Sequence, residues 1–282
     1  MMSALGSSGA GSSSSVEDLL RAWETGCEQI ESYDVYVMAE RKLLLNPDDN
    51  WQPLRPAEAT THFARQVRLK SKRRIEPNVS KNGIQPDVVV IWNGEYVLAY
   101  NSRAKEVVIE PALICTTPET LEQLDYETLY SAAVGELSRI AVFRDRPDAV
   151  VEPTTADGLL VLYAPTTREP RQFSPFGMRV WLDPAKNYLP VRLQHLLKAG
   201  SEEIVYVQWE NRVEEVMARV WAPVESRILT YPPIEVGPGG PAPSQEIIVR
   251  ITSDTAPFNS SVPESLFELE IPAGATVYDR IV

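Results

Sequence analysis

The sequence predicts an α+β protein built on a curved antiparallel sheet of about eleven strands, with an N-terminal helix and a short helical insertion. Three observations carry this reading. Apolar and polar residues alternate through most of the chain after Tyr33, which is strand spacing. Two hairpin signatures, Val88–Tyr100 around Asn93-Gly94 and Arg179–Leu193 around Asp183–Asn187, join neighbouring strands. Helical spacing is confined to Val16–Ile30 and to about residues 118–140. Sequential antiparallel strands in such number curl toward a barrel.

Ser15 opens the helix as N-cap, with Asp18 as the acid of a short capping box. Val16, Leu19, Leu20, Trp23, Cys27 and Ile30 form one face, and Glu17, Asp18, Arg21, Glu24 and Glu28 the other. A helix of this length needs a sheet to lie on. Ahead of it, residues 1–15 are rich in Gly, Ser and Ala and are expected to be a disordered arm. The arm has no basic start or apolar stretch of a secretory signal, and no cysteine for lipid attachment. Either a leader is missing from this numbering or the protein stays where it is made.

In the first strand, Tyr33, Val35, Val37 and Ala39 alternate with Asp34, Tyr36 and Glu40. Residues 46–61, with three prolines, read as a loop, and His62–Ile75 as one long second strand. Phe63, Val67 and Leu69 share one parity there, and Gln66, Arg68, Lys70, Lys72 and Arg74 the other, which should face water. Val88–Trp92 and Glu95–Tyr100 form the Asn93-Gly94 hairpin, extended by Glu106–Glu110. Thr117 and Pro118 then start the insertion, two short amphipathic helices acting as a lid over the sheet or a plug within it.

Leu159–Tyr163 returns to strand. In the second hairpin Pro184 presets φ, Asp183 can bond the backbone ahead of it, and Asn187 tolerates a left-handed conformation. Glu203–Glu210 follows, with Val205, Val207 and Trp209 on one face, and then Val216–Tyr231, where Pro223 marks a bulge or an edge. Residues 232–243 hold five prolines and three glycines and form an exposed loop. Gln245–Asp254 is the last strand, and the tail winds back through Phe267–Pro272. Residues 16–282 are therefore read as a single domain.

Lys and Arg number 27 against 39 Asp and Glu, a net charge of −12 among 282 residues. Such a surface repels phosphate backbones, so nucleic acid is not an expected partner. No apolar run approaches the roughly eighteen residues of a membrane-spanning helix. Two cysteines, Cys27 and Cys115, are too few for a disulfide scaffold or a cysteine metal site. Cys27 reads as a buried thiol, with a Cys27–Cys115 bridge as the alternative in an oxidising compartment.

The chemistry of an enzyme is hard to find. There is no nucleophile elbow, no Gly-rich phosphate loop and no helical zinc pair. His62 and His195 could act together only if folding joined them, and His195 shares parity with Leu193 on an apolar face. Adjacent acids such as Glu202-Glu203 fall in predicted turns. The run Arg68, Lys70, Lys72, Arg73, Arg74 could meet an acidic partner or a lipid headgroup, or simply face solvent. Trp92, Trp181, Trp209 and Trp221 all fall in strands and suit a core or an apolar cavity equally. Neither enzymatic activity nor a cofactor is expected.

The order of elements resembles a known superfamily. It consists of a helix ending in Glu31-Ser32-Tyr33, a basic strand, a Trp92-Asn93-Gly94 hairpin and a helical insertion. The Trp181-Leu182-Asp183-Pro184…Leu189-Pro190-Val191-Arg192 hairpin and a closing Ile271-Pro272-Ala273-Gly274 complete it. These features resemble the LolA/LolB-like envelope proteins, to which the N-terminal part of the regulator RseB also belongs. The resemblance implies an unclosed half-barrel with helices in its mouth, an apolar cavity for acyl chains, and a periplasmic or envelope location. On that basis the cavity-lining candidates are Val35, Val37, Phe63, Val67, Leu69, Trp181, Leu193, His195, Val205, Val207 and Trp209. The expected ligand is a lipid, an acylated protein or another apolar molecule, with a protein partner as a further use of the 232–243 loop.

Overall fold

The computed structural model describes residues 15–46, 52–70, 72–77, 87–93, 95–111, 140, 143–166, 177–199, 201–232, 242–252 and 258–281. Helix α1 spans Val16–Glu28. Its start follows from the cap: the Asp18 N–H donates to Ser15 Oγ at 3.1 Å, and the Asp18 carboxylate accepts from the Ser15 N–H at 3.2 Å. Leu19, Leu20, Trp23, Gly26 and Cys27 form its buried face.

The strands are β1 (Ser32–Asn46), β2 (Gln52–Leu69), β3 (Lys72–Pro77), β4 (Val88–Trp92), β5 (Tyr96–Asn101), β6 (Glu106–Pro111) and β7 (Val150–Glu152). They continue with β8 (Leu160–Ala164), β9 (Gly177–Asp183), β10 (Leu189–Ala199), β11 (Glu202–Met217), β12 (Val220–Thr230), β13 (Gln245–Ile251) and β14 (Thr276–Asp279). All fourteen belong to one sheet, in the order β14, β6, β5, β4, β3, β2, β1, β13, β12, β11, β10, β9, β8, β7. Every described pairing is antiparallel except β14 on β6. The sheet is curved and its edges, β14 and β7, do not meet, so it is an open structure as expected. Two sequence-local meanders meet at one ladder, β1 on β13, where Val37 faces Ile251.

Directly paired residues share a face of the sheet. On one face α1 packs over β1 and β8–β13, burying Leu19, Leu20, Trp23, Cys27 and Ile30 against Val35, Val180, Leu182, Leu193 and Trp209. Phe143 meets Trp23 edge to face at 6.4 Å. The chain then passes around the start of β1: Phe258 stacks on Tyr33 on the helix side, and Asn259 bonds Glu31 and Gln29. It continues on the opposite face, where Val262 and Phe267 pack on Val67, Val89 and Ile91.

The strand count is the main correction to the sequence reading: fourteen among the described residues rather than about eleven. The predicted strand His62–Ile75 is two strands, because the chain reverses at Lys70, whose φ is +54°. Polar alternation continues unbroken across that turn and hides it. Strand β2 also begins ten residues earlier than predicted, inside the segment read as a loop. β7 and β14 have three and four residues, too short for periodicity to register. The predicted turn chemistry at 183–187 is present: Asp183 Oδ1 accepts from the Ala185 N–H at 3.0 Å, and Asn187 is left-handed at φ +56°. The ladder shifts register next to Pro223, as its proline predicts. The predicted arm at 1–14, the insertion at 118–139, Cys115, and residues 233–241 of the loop lie outside the described residues.

Candidate ligand-binding face

The eleven predicted lining residues divide between the two faces. Val35, Val37, Leu193 and Trp209 lie on the helix face and are buried in the core beneath α1. Val207 and His195 are cross-strand partners on that face, and the His195 ring sits 4.7 Å from the Trp209 ring in a T-shaped contact.

The other five face away. Val205 is displaced by a bulge: β10 advances one residue between His195 and Leu196 while β11 advances two, from Val207 to Val205. The extra residue, Tyr206, inverts the alternation, so Val205 and Val207 are on opposite faces. Trp181 lies on the outer face with the Arg192 guanidinium 5.4 Å above its ring. Val67 is buried beneath the C-terminal segment with Leu69 beside it, and Phe63 is 40 % exposed. Their strand is fixed from that side by charge: Arg65 grips Asp34 through two bonds of 2.9 and 2.8 Å and reaches Glu76 at 3.4 Å. Arg74 bonds Glu76 at 2.7 Å and the Leu266 carbonyl at 2.9 Å. Gln66, predicted to face water, is buried on the helix face opposite Val35.

Register brings together a second helix-face surface that parity alone does not find. One row across β2–β6 holds Gln66, Ile75, Val90, Ala99 and Val108; the next holds Arg68, Arg73, Trp92, Val97 and Glu110. Ile75, Val90 and Val97 are buried, yet belong to neither packed cluster of the described residues. Arg68 and Arg73 are direct cross-strand partners, and Arg73 lies 5.5 Å from the centre of the Trp92 ring. Arg68 donates from Nε to the Lys70 carbonyl at 2.9 Å, and the cross-strand pair gathers two positive charges at this end of the surface. The Asn93-Gly94 signature fixed β4 against β5, but the link to β3 needed the Lys70 turn.

His62 and His195 lie on β2 and β10, with β1, β13, β12 and β11 between them. At about 4.8 Å per step that is roughly 24 Å along the sheet. No group of three metal-ligating side chains occurs among the described residues. Burial pushes the Cys27 thiol up to about 12. Tyr163 is also pushed to about 12, first by burial and then by its bond to Glu203. An open cleft of about 410 Å³ lies between α1 and the 184–188 turn, lined by Asp18, Arg21, Gly26 and Tyr188 among others. No described helix is long and apolar enough to cross a membrane.

No family model and no curated protein matches the chain. Among solved structures, a DUF1329 family protein from Desulfovibrio piger superposes with a TM-score of 0.54 at 12% identity, over 90% of this chain and 97% of that one. That likeness shows the fold is one already seen. An uncharacterised conserved protein from Thermus thermophilus gives 0.37 at 11% identity, over 94% of this chain and 98% of that one. MucB, solved in complex with MucA, gives 0.26 at 11% identity, over 86% and 95%.

Proposed function

We propose that the chain is a non-catalytic cell-envelope protein of the LolA/LolB-like kind, which holds an apolar ligand on the helix face of its half-barrel as a carrier or sensor. The ligand class is a lipid, an acyl chain or an acylated protein. One observation carries the reading: the two-row strip across β2–β6, apolar at Ile75, Val90 and Val97, with the Arg68–Arg73 pair at one side. Sites for small apolar ligands are mostly apolar with a few polar groups that orient the ligand. A chain would lie along the strip and an anionic head would meet the guanidiniums.

Native mass spectrometry of protein purified from its own host, with lipid extraction, tests this. A bound species of defined hydrophobic mass is expected. A clean apo mass together with no uptake of a fluorescent fatty acid overturns the proposal.

A second reading, an interaction protein with a vestigial cavity, is favoured by one feature. α1 fills the face over β8–β12 with fully buried side chains, Trp23 being 0 % exposed. Deleting residues 232–243 would then lose a protein partner in pull-downs, and unchanged recovery would remove this reading.

A further inference from the structure

Seven large apolar side chains stand exposed among the described residues, and four of them, Ile271, Val277, Tyr278 and Ile281, lie within the last twelve positions. They surround β14, beyond which no described strand lies. The Thr276 N–H donates to the Lys105 carbonyl and the Arg280 N–H to the Ile109 carbonyl, both at 2.9 Å. In a parallel ladder the N–H and C=O of one residue point to the same side, and alternate residues point to opposite sides. The main-chain groups of Thr276, Tyr278 and Arg280 therefore turn toward β6, and those of Val277 and Asp279 turn outward. An outward row of donors and acceptors between exposed apolar side chains is a template for another strand.

We propose that this edge pairs antiparallel with the same edge of a second copy of the chain, about a two-fold axis at Tyr278. Self-pairing suits an isologous interface, in which one patch serves both partners. The outward groups limit the register. Centring on Asp279 sets two carboxylates directly opposite, which is unfavourable. Centring on Val277 sets Asp279 opposite Ala275, whose N–H already donates to the Pro272 carbonyl at 3.1 Å. Centring on Tyr278 places Val277 opposite Asp279 twice and Thr276 opposite Arg280, and the ladder ends there, because the Ile281 N–H is held by Asp279 Oδ1 at 2.9 Å. The two Tyr278 residues then form a pair not bridged by main-chain bonds, with Cα atoms about 4.5 Å apart. A ladder this short buries less than a standard interface, so the dimer is weak and concentration-dependent. The charge of −12 on each copy opposes it, so added salt strengthens it. None of this depends on the ligand reading.

Sedimentation velocity of the full chain across protein and salt concentrations tests the proposal. A monomer–dimer equilibrium that tightens with salt is expected, and it should vanish in Val277→Pro, which removes an outward N–H and leaves the bonds to β6 intact. In a Cys115→Ser background, Tyr278→Cys should give a disulfide-linked dimer under mild oxidation and Thr276→Cys should not, because only the first places two thiols within bridging distance. A monomer at every concentration overturns the interface. So does a dimer that persists in a Val277→Pro variant with unchanged circular dichroism. Equal crosslinking at both positions overturns the register.

Discussion

Asn187 donates its side-chain amide to Gln29 Oε1 at 2.5 Å, and so ties the turn between β9 and β10 to the end of α1. The same amide also reaches the Arg219 carbonyl at 2.9 Å. The contact is close enough to dictate its neighbour: a Cβ on Gly26 would come 1.9 Å from the Asn187 carbonyl oxygen. Gly26→Ala gains helix propensity of about 1 kcal/mol. It must also push the helix off the turn, and overpacking of this kind costs about 1–3 kcal/mol. Net destabilisation is expected in urea unfolding; a more stable variant would show that the helix does not sit this close.

Trp23→Ala is expected to cost about 3–5 kcal/mol, since it opens a cavity at the centre of the helix-face core and removes the edge contact with Phe143. Denaturant midpoints measure this. A loss under 1 kcal/mol would mean that the face over β8–β12 is loosely packed and able to receive a ligand.

How far the sequence told the two faces apart is clear from individual residues. Alternation placed Val35 and Val37 together, and Leu193 with His195, because no register shift falls between the members of either pair. It grouped Val205 with Val207 because a bulge leaves no trace in the hydrophobic pattern. It assigned Val67 and Leu69 to the cavity because apolar parity cannot tell which side of a sheet is covered, and here the covering chain, Val262 to Leu269, arrives from about two hundred residues away. Arg68 and Arg73 read as one basic run; only the turn at Lys70 sets them face to face.

Glu76 is 5 % exposed and receives both Arg65 and Arg74. Glu76→Leu removes the carboxylate that Arg65 and Arg74 share, leaving Arg65 its bonds to Asp34 and Arg74 its bond to the Leu266 carbonyl. The loss is expected at about 2–4 kcal/mol, near the range for breaking a buried pair after allowing for the partial exposure of both arginines. Restoring the carboxylate length with Glu76→Gln should recover shape without charge, so the difference between the two variants isolates the electrostatic part.

Stability should fall in alkali. Cys27 keeps its proton in the folded state up to about 12, whereas an unfolded thiol loses it near 9.0. The folded state thus binds more protons than the unfolded one, and stability present below pH 9 is lost as pH rises toward 12, by up to about 1.4 kcal/mol per pH unit. Tyr163 adds to the loss from 10.0 to about 12. Cys27→Ala should flatten the slope between pH 9 and 10, before Tyr163 contributes. Glu203 acts at the other end. Burial works against its charge, but the Thr166 N–H and the Tyr163 hydroxyl overcome that and hold it below 4.5, so its contribution is present above that pH and lost in acid.

If the strip across β2–β6 holds an amphiphile, charge reversal at Arg68 and Arg73 should separate head from tail. The double variant Arg68→Glu, Arg73→Glu is expected to weaken binding of a fluorescent fatty acid tenfold or more, about 1.4 kcal/mol, and to leave a neutral acyl alcohol unchanged. Equal loss for both probes would trace the effect to folding.

The ladder between β1 and β13 is the one described strand pairing in the two meanders that joins distant parts of the chain, Leu43 to Gln245 and Val37 to Ile251. Hairpins such as β11 on β12 close loops of a few residues, and closing entropy grows with loop length. The entropy of joining the two meanders therefore falls on this zipper, the parallel ladder of β14 on β6 being the other pairing between distant parts of the chain. Folding speed is governed there: Ala39→Gly, midway along β1, should slow refolding more than a substitution of equal equilibrium effect in β11 or β12.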